Sequence, residues 1–279
     1  MSDDRAMPEM TTPVITRPET TMQKTTLPET AMILAAGYGK RMRPLTESLP
    51  KPLLEVTGRP MIDQILDHLR RAGIRRAVVN LHHLGEALER HLAGVETPEI
   101  LLSWEREELL ETGGGVKAAL DKIGEEPFFV VNGDVVWLDG FEPALHRLAR
   151  FWDPERMDAL LLLHPTITAF GYDGDGDFIM DPDGRLRRRE EREVAAFLFA
   201  GVQILHPRLF KGAPEGPFSL NRLYDRAIEE ERLFGLRHDG EWFHVGTPEA
   251  LRLADELLRE EIGGQPASFQ HNLAEFKER

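Results

Sequence analysis

Directly after the apolar run MILAA (residues 32–36), the chain reads GYGKRMRPLTESLPK, ending at Lys51. Two glycines, two arginines and two lysines fall within these fifteen residues. Glycine lets a backbone pass close to a ligand, and a cluster of cations implies an anionic one. The formal net charge of the whole chain is -14, so an anion site must be built locally against the overall field. A dinucleotide fingerprint needs a third glycine where Met42 stands, and the Walker spacing is absent. Pro44, Pro50 and Pro52 keep the segment out of a regular helix, because proline fixes its own backbone and restricts its predecessor. A stiffened loop with Arg41 near one end and Lys51 at the other can clamp an extended polyphosphate, arginine as a planar fork and lysine as a point charge.

A second station is Asn132-Gly133-Asp134, which closes the apolar run PFFVV. Ligands of open α/β sheets gather at the carboxyl ends of strands, where Asp134 would sit. A carboxylate beside a polyphosphate needs a cation between them, so Asp134 is the candidate metal ligand. The run ETGGG places Thr112, a good N-cap residue, before Gly113 at a helix start. The string GYDGDGD suggests calcium, but counting from Asp173 the twelfth position is Gly184 rather than a glutamate. His82 and His83 are adjacent strand residues that point to opposite faces, so they read as structural.

These stations need a scaffold, and the hydrophobic pattern supplies one. Short apolar strands are expected at residues 32–36, 77–81, 100–104 and 128–131. Between them, helical faces fall at Met61, Ile62, Ile65, Leu66 and Leu69, around residues 84–92, and from Gly113 through Ile123. The alternation predicts an α/β fold: a three-layer, Rossmann-like, mixed but mostly parallel sheet with helices on both faces. Later strands are expected at residues 159–163 and 194–205 with a hairpin turn at Asp183-Gly184, and a last strand at 242–245. Helices are expected at residues 219–230 and from Pro248 to about Glu261. Residues 1–30, rich in Thr, Pro and Met, read as a disordered extension. Residues 31–279 read as a single domain.

The strings LAAGYGKRMRPLT, PKPL, ETGGGVKAAL, VNGDV, FAGVQILHP and WFHVGTPEAL occur in that order. Together they resemble the sugar-1-phosphate nucleotidylyltransferases, of the nucleotide-diphospho-sugar transferase fold. ETGGG and VNGDV are most similar to the N-acetylmuramate-1-phosphate uridylyltransferases of bacterial cell-wall recycling. The resemblance implies that a sugar 1-phosphate attacks the α-phosphorus of a nucleoside triphosphate, here UTP, and that pyrophosphate leaves. It implies that backbone at Ala36, Gly37 and Gly39, with Lys40, cradles the triphosphate. Arg41 would meet the leaving pyrophosphate, and Lys51 the reacting phosphoryl group. Thr112, Gly113 and Asn132 would lie along the nucleoside, and Asn132, Asp177 and Glu193 along the sugar phosphate. One of the arginines of the run 186–193, Arg187, Arg188, Arg189 or Arg192, would stand in for the family's sugar-phosphate lysine. Asp134 would hold Mg2+. The family's second metal ligand is an aspartate where this chain has His244. Three accounts follow: Mg2+ held by Asp134 and phosphates with His244 reached through water, a preference for Mn2+, or substitution by Asp239 or Glu241.

The motifs that define the reaction do not fix the base or the sugar. A mannose-1-phosphate guanylyltransferase, a glucose-1-phosphate nucleotidylyltransferase and a nucleotide-binding regulator without catalysis share them. The acidic balance argues against nucleic acid or an anionic membrane as partner. No apolar run approaches the ~20 residues of a membrane span. The absence of cysteine removes disulfides and thiolate chemistry. A cytoplasmic monomer or small homo-oligomer fits these features.

Overall fold

The computed structural model describes residues 27–262. In the first half, strands β1 (Thr30–Leu34), β4 (Arg76–Leu81), β5 (Glu99–Trp104) and β6 (Phe128–Asn132) alternate with helices α1 (Met61–Arg71), α2 (Gly85–Leu92), α3 (Glu111–Ala118) and α4 (Leu120–Ile123). A two-residue ribbon, β2 (Glu55–Val56) with β3 (Arg59–Pro60), precedes α1. Strand β1 lies between β4 and β6, parallel to both, and β5 adds in parallel outside β4.

The second half contributes β7 (Val136–Leu138), α5 (Ala144–Phe151), β8 (Ala159–Pro165), β9 (Phe178–Met180), β10 (Leu186–Arg188), β11 (Phe197–Leu205), α6 (Asn221–Glu229), β12 (Leu233–Arg237), β13 (Glu241–Phe243) and α7 (Pro248–Ile262). Strand β11 runs antiparallel to β6 and β8, so the nine-stranded sheet is mixed. Its order is β10-β9-β11-β6-β1-β4-β5, with β8 on β11 and β12 on β8.

Alternation along β1 sorts the two faces. Ala31 and Ile33 pack with Ile62, Ile65, Leu88 and Leu148 of α1, α2 and α5. Met32 packs on the other side with Val116, Ala119, Leu223 and Tyr224 of α3, its continuation and α6. Helices therefore cover both faces, as the near-continuous apolar strands require. A third cluster joins Met42 of the cationic loop to Phe243, Val245 and α7.

Several boundaries differ from the pattern. Residues 1–26 lie outside the described part, but Leu27 packs against the core and Thr30 opens β1, within the stretch expected to be disordered. The Glu29 carbonyl accepts the N–H groups of Arg75 and Arg76, which extends the sheet backwards. Strand β1 ends at Leu34, not Ala36, because the Ala35 N–H donates to the Asn80 side chain. The turn at Asp183-Gly184 exists but joins β9 to β10, two strands the pattern did not announce. The last strand, β13, pairs with β7 in a separate ribbon rather than joining the main sheet.

That ribbon is pinned by Asp139. Burial alone would raise its pKa, but donation from His68, the Ala144 N–H and the Trp137 indole overrides this and holds it at about 2. A carboxylate depressed from the usual 3.8 contributes stability in full above that value and loses it as pH falls towards 2. Asp139→Asn is expected to cost about 2 kcal/mol in urea unfolding at pH 7. The difference should narrow to about half near pH 3; a cost that does not change with pH would contradict this assignment.

Candidate active site

The cationic loop leaves the sheet at the carboxyl end of β1. It advances in three short 3-10 turns, Lys40–Met42, Leu45–Glu47 and Lys51–Leu53, as its prolines require. Gly39 has φ 59°, and a Cβ there would lie 2.8 Å from Thr46 Cγ2, so both conformation and space call for glycine. The Thr46 hydroxyl donates to the Gly39 carbonyl at 2.9 Å and closes the loop on itself. No atom stands within 4 Å of where a Gly37 Cβ would be. Among the described residues none accepts from the backbone N–H groups of residues 37–41, which leaves them for an anion.

Opposite this loop, Asn132-Gly133-Asp134 leaves the end of β6. The Gly133 N–H donates to the Leu34 carbonyl, and a Cβ on Gly133 would lie 2.7 Å from that oxygen. The glycine thus brings Asp134 flush against the end of β1. There Lys51 Nζ donates to Asp134 Oδ2 at 2.6 Å. The lysine side chain is only 10% exposed and the aspartate 42%, so the pair marks the wall of an opening.

Two cavities meet at this pair. The larger, about 540 Å³, is lined by Ala36, Gly37, Gly39, Lys40 and Thr112 among others. The smaller, about 210 Å³, is lined by Tyr172, Asp177, Phe199, Trp242 and His244 among others. Arg41, Lys51, Asn132, Asp134 and Gly246 face both. A bulge in β11 shapes the smaller wall: Gly201 has φ 79°, and its Cβ would meet Asn132 at 3.1 Å. Trp242 Nε1 donates to the Ala200 carbonyl and fixes the indole beneath that bulge.

Not every expected residue arrives. Gly113 lines neither cavity; it is buried against Phe218, whose ring would stand 2.3 Å from an added Cβ. The N–H groups of Gly113 and Gly114 both donate to the Phe218 carbonyl. Thr112 does not cap α3. It lies within that helix, and its hydroxyl accepts the Leu220 N–H while the residue lines the larger cavity. Glu193 is turned away from both cavities and held by Arg187 through two contacts of 2.7 Å. Arg188 is taken by Asp225 and Asn221, and Arg189 by backbone carbonyls, so no arginine of the run reaches the smaller cavity. Asp177 does reach it, with Oδ2 accepting the Phe199 N–H at 2.8 Å.

His244 shares the smaller cavity with Asp134. Burial, then the charges of Arg41 and Lys51, push its pKa down, so the ring is neutral at pH 7 and offers a lone pair. Asp239 pairs with Arg147, and neither Asp239 nor Glu241 lines either of these two cavities. Among the described residues no three His, Asp or Glu side chains converge as a metal cage. The donor set present, one carboxylate and one neutral imidazole, fits an ion whose remaining ligands are phosphate oxygens and water.

Sequence reasoning missed Asn80, Glu105, Glu111, Tyr172 and Trp242. Asn80 stands at the end of an otherwise apolar strand and Glu105 just after the next one, a signal the pattern did carry. Trp242 is fixed at the smaller cavity through the β11 bulge, which no local pattern announces, and Tyr172 packs edge-on to the indole.

Residues 30–172 match the family described as nucleotidyl transferase. The chain is 43% identical over 234 residues to an N-acetylmuramate alpha-1-phosphate uridylyltransferase of Caulobacter vibrioides, covering 82% of this chain and 97% of the relative. An enzyme of the same description from Neisseria meningitidis serogroup B is 37% identical over 81% of this chain and 97% of its own. Among solved structures, UDP-glucose pyrophosphorylase complexed with UDP-glucose superposes with a TM-score of 0.70 at 16% identity, over 84% of this chain and 99% of that one. The match over residues 30–172 and the similarity across nearly the whole length of two relatives lead to one statement: the chain belongs to the nucleotidyl transferase family, among the sugar-1-phosphate nucleotidyltransferases.

Proposed function

We propose that the protein transfers a uridylyl group from UTP to N-acetylmuramate 1-phosphate, releasing pyrophosphate, in the reuse of cell-wall sugar. The observation that carries this reading is the meeting of two cavities at Arg41, Lys51 and Asp134. The larger has the glycine loop and room for a nucleoside triphosphate; the smaller has the aromatic and acidic walls that suit a sugar. The choice of base and sugar rests on the two uridylyltransferase relatives. A nucleoside triphosphate substrate fits a cytoplasmic enzyme, and among the described residues no helix is long and apolar enough to cross a membrane.

In this reading the backbone of residues 36–39 and Lys40 hold the triphosphate with its α-phosphorus at the junction. A phosphate oxygen of the sugar 1-phosphate attacks that phosphorus, and the bond to the bridging oxygen breaks in line. The released pyrophosphate keeps the bonding electron pair, and no proton must move. Positioning and charge neutralisation therefore carry the catalysis. Arg41 takes the charge that develops on pyrophosphate. Lys51 exchanges part of its contact with Asp134 for the reacting phosphoryl oxygens. Asp134, with His244 nearby, would hold a divalent cation, Mg2+ or Mn2+, which when bound neutralises phosphate charge.

Pyrophosphate release measured with UTP and GTP, each paired with N-acetylmuramate and mannose 1-phosphates under Mg2+ or Mn2+, tests the reading. Fastest turnover of UTP with the muramate substrate is expected. A preference for GTP with mannose 1-phosphate would replace this reading by the guanylyl one, and nucleotide binding with no turnover would favour the regulator. With the preferred pair, Arg41→Ala and Lys51→Met should each lower kcat/KM by about two orders of magnitude, as for loss of a preorganised transition-state contact.

The smaller cavity yields its own test. Asp177→Asn should raise KM for the sugar 1-phosphate about tenfold, the effect of one lost hydrogen bond to a charged group. Glu193→Gln should change it by less than about twofold, because an exposed ion pair is worth little. The reverse order of effects would return the sugar site to Glu193.

A further inference from the structure

We infer that Asn80 and Glu105 are a positioning pair that fixes the spacing between the two walls of the nucleotide cleft. The inference rests on the assignment of the larger cavity to the nucleoside triphosphate. Neither residue belongs to the phosphate loop or to the metal and sugar stations. Both are buried side chains, 3% and 4% exposed, at the carboxyl ends of β4 and β5.

Their hydrogen bonds form one chain across the base of the cleft. Asn80 Oδ1 accepts the Ala35 N–H at 2.7 Å, at the point where β1 turns into the phosphate loop. Asn80 Nδ2 donates to Glu105 Oε1 at 2.6 Å. Glu105 Oε2 accepts the Leu110 N–H at 2.7 Å, directly before Glu111 and Thr112 of the opposite wall. Each of these bonds ends on a backbone group or on the other member of the pair. The phosphate loop and the nucleoside wall are thus joined directly through two side chains.

Two independent features depend on this chain. Glu111 holds φ 59°, a left-handed backbone that a non-glycine residue keeps only where its surroundings over-determine it. The Leu110 N–H held by Glu105 supplies part of that constraint, beside the Leu110 carbonyl that accepts the Phe218 N–H. At Gly115, third glycine of the run, an added Cβ would stand 2.7 Å from Glu105 Oε1 and 2.9 Å from Asn80 Nδ2, so any side chain there displaces the pair. The run ETGGG is therefore shaped by this pair at its last position as well as by Phe218 at its first glycine.

The chemistry allows a reciprocal test. In Glu105→Gln, the amide NH2 faces either the Asn80 amide or the Leu110 N–H, donor against donor, and one arm breaks. In the double variant N80D/E105Q every bond returns. The carboxylate introduced at position 80 would accept from the Ala35 N–H and from the amide introduced at position 105, whose oxygen accepts from the Leu110 N–H. Glu105→Gln is expected to raise KM for UTP about tenfold, the size of a lost buried hydrogen bond to a charged group. KM for the sugar 1-phosphate and kcat should stay within about twofold, because the pair does not face the smaller cavity. The double variant should restore KM for UTP, and Gly115→Ala, which presses on the same pair, should raise it alone. A rise in both KM values together, a change confined to thermal stability, or a double variant that regains stability but not KM would overturn the inference. A wild-type protein that turns over no nucleotide would refute the functional reading and this inference with it, a result distinct from any of those.

Discussion

The ion pair between Lys51 and Asp134 is the contact on which the site depends. It ties the end of the cationic loop to the end of β6, two segments separated by 83 positions of chain. Each charge has a reason to be present only because the other is there. A lysine this buried needs a counter-ion, and an aspartate beside a phosphate site needs a cation. The pair also lies at the boundary between the two cavities.

The fold holds that pair by parallel pairing rather than by the loop itself. Strand β1 lies in register with β4 and β6, which brings Leu34 opposite Asn132 and the two loops to one edge. Apolar cores on both faces back that edge, and the loop is tied to it through His82, His83, Asp134 and the packing of Leu49 and Met42. The second half supplies shape more than charge. The β11 bulge, the β7–β13 ribbon and the Asp139 pin together carry Trp242 and His244 to the smaller cavity.

The sequence disclosed the charged part of the site better than its shape. The loop from Gly37 to Lys51 and the turn at Asp134 could be read because glycine, proline and unpaired charge are rare after apolar strands and carry local meaning. The parallel core could be read because strands buried on both faces are continuous apolar runs. Glu193 and the neighbouring arginines could not be placed, since a surface ion pair and a substrate contact use the same residues. Thr112 misled as a cap because its partner, the Leu220 N–H, lies 108 positions away. Distance in sequence also hid the link from Asn80 to Glu105, where each residue alone is an ordinary polar strand end.

The proposed direct transfer has no step in which the protein becomes nucleotidylated. Two side chains at the junction could attack phosphorus, Lys51 and Asp134, and each is engaged by the other at 2.6 Å; His244 lines only the smaller cavity, on the acceptor's side of the proposed reaction. The direct measurement is isotope exchange between labelled pyrophosphate and UTP with the sugar 1-phosphate left out. Direct transfer between the two cavities predicts no exchange until the sugar phosphate is added. Exchange in its absence would reveal a covalent nucleotidyl-enzyme and contradict the account.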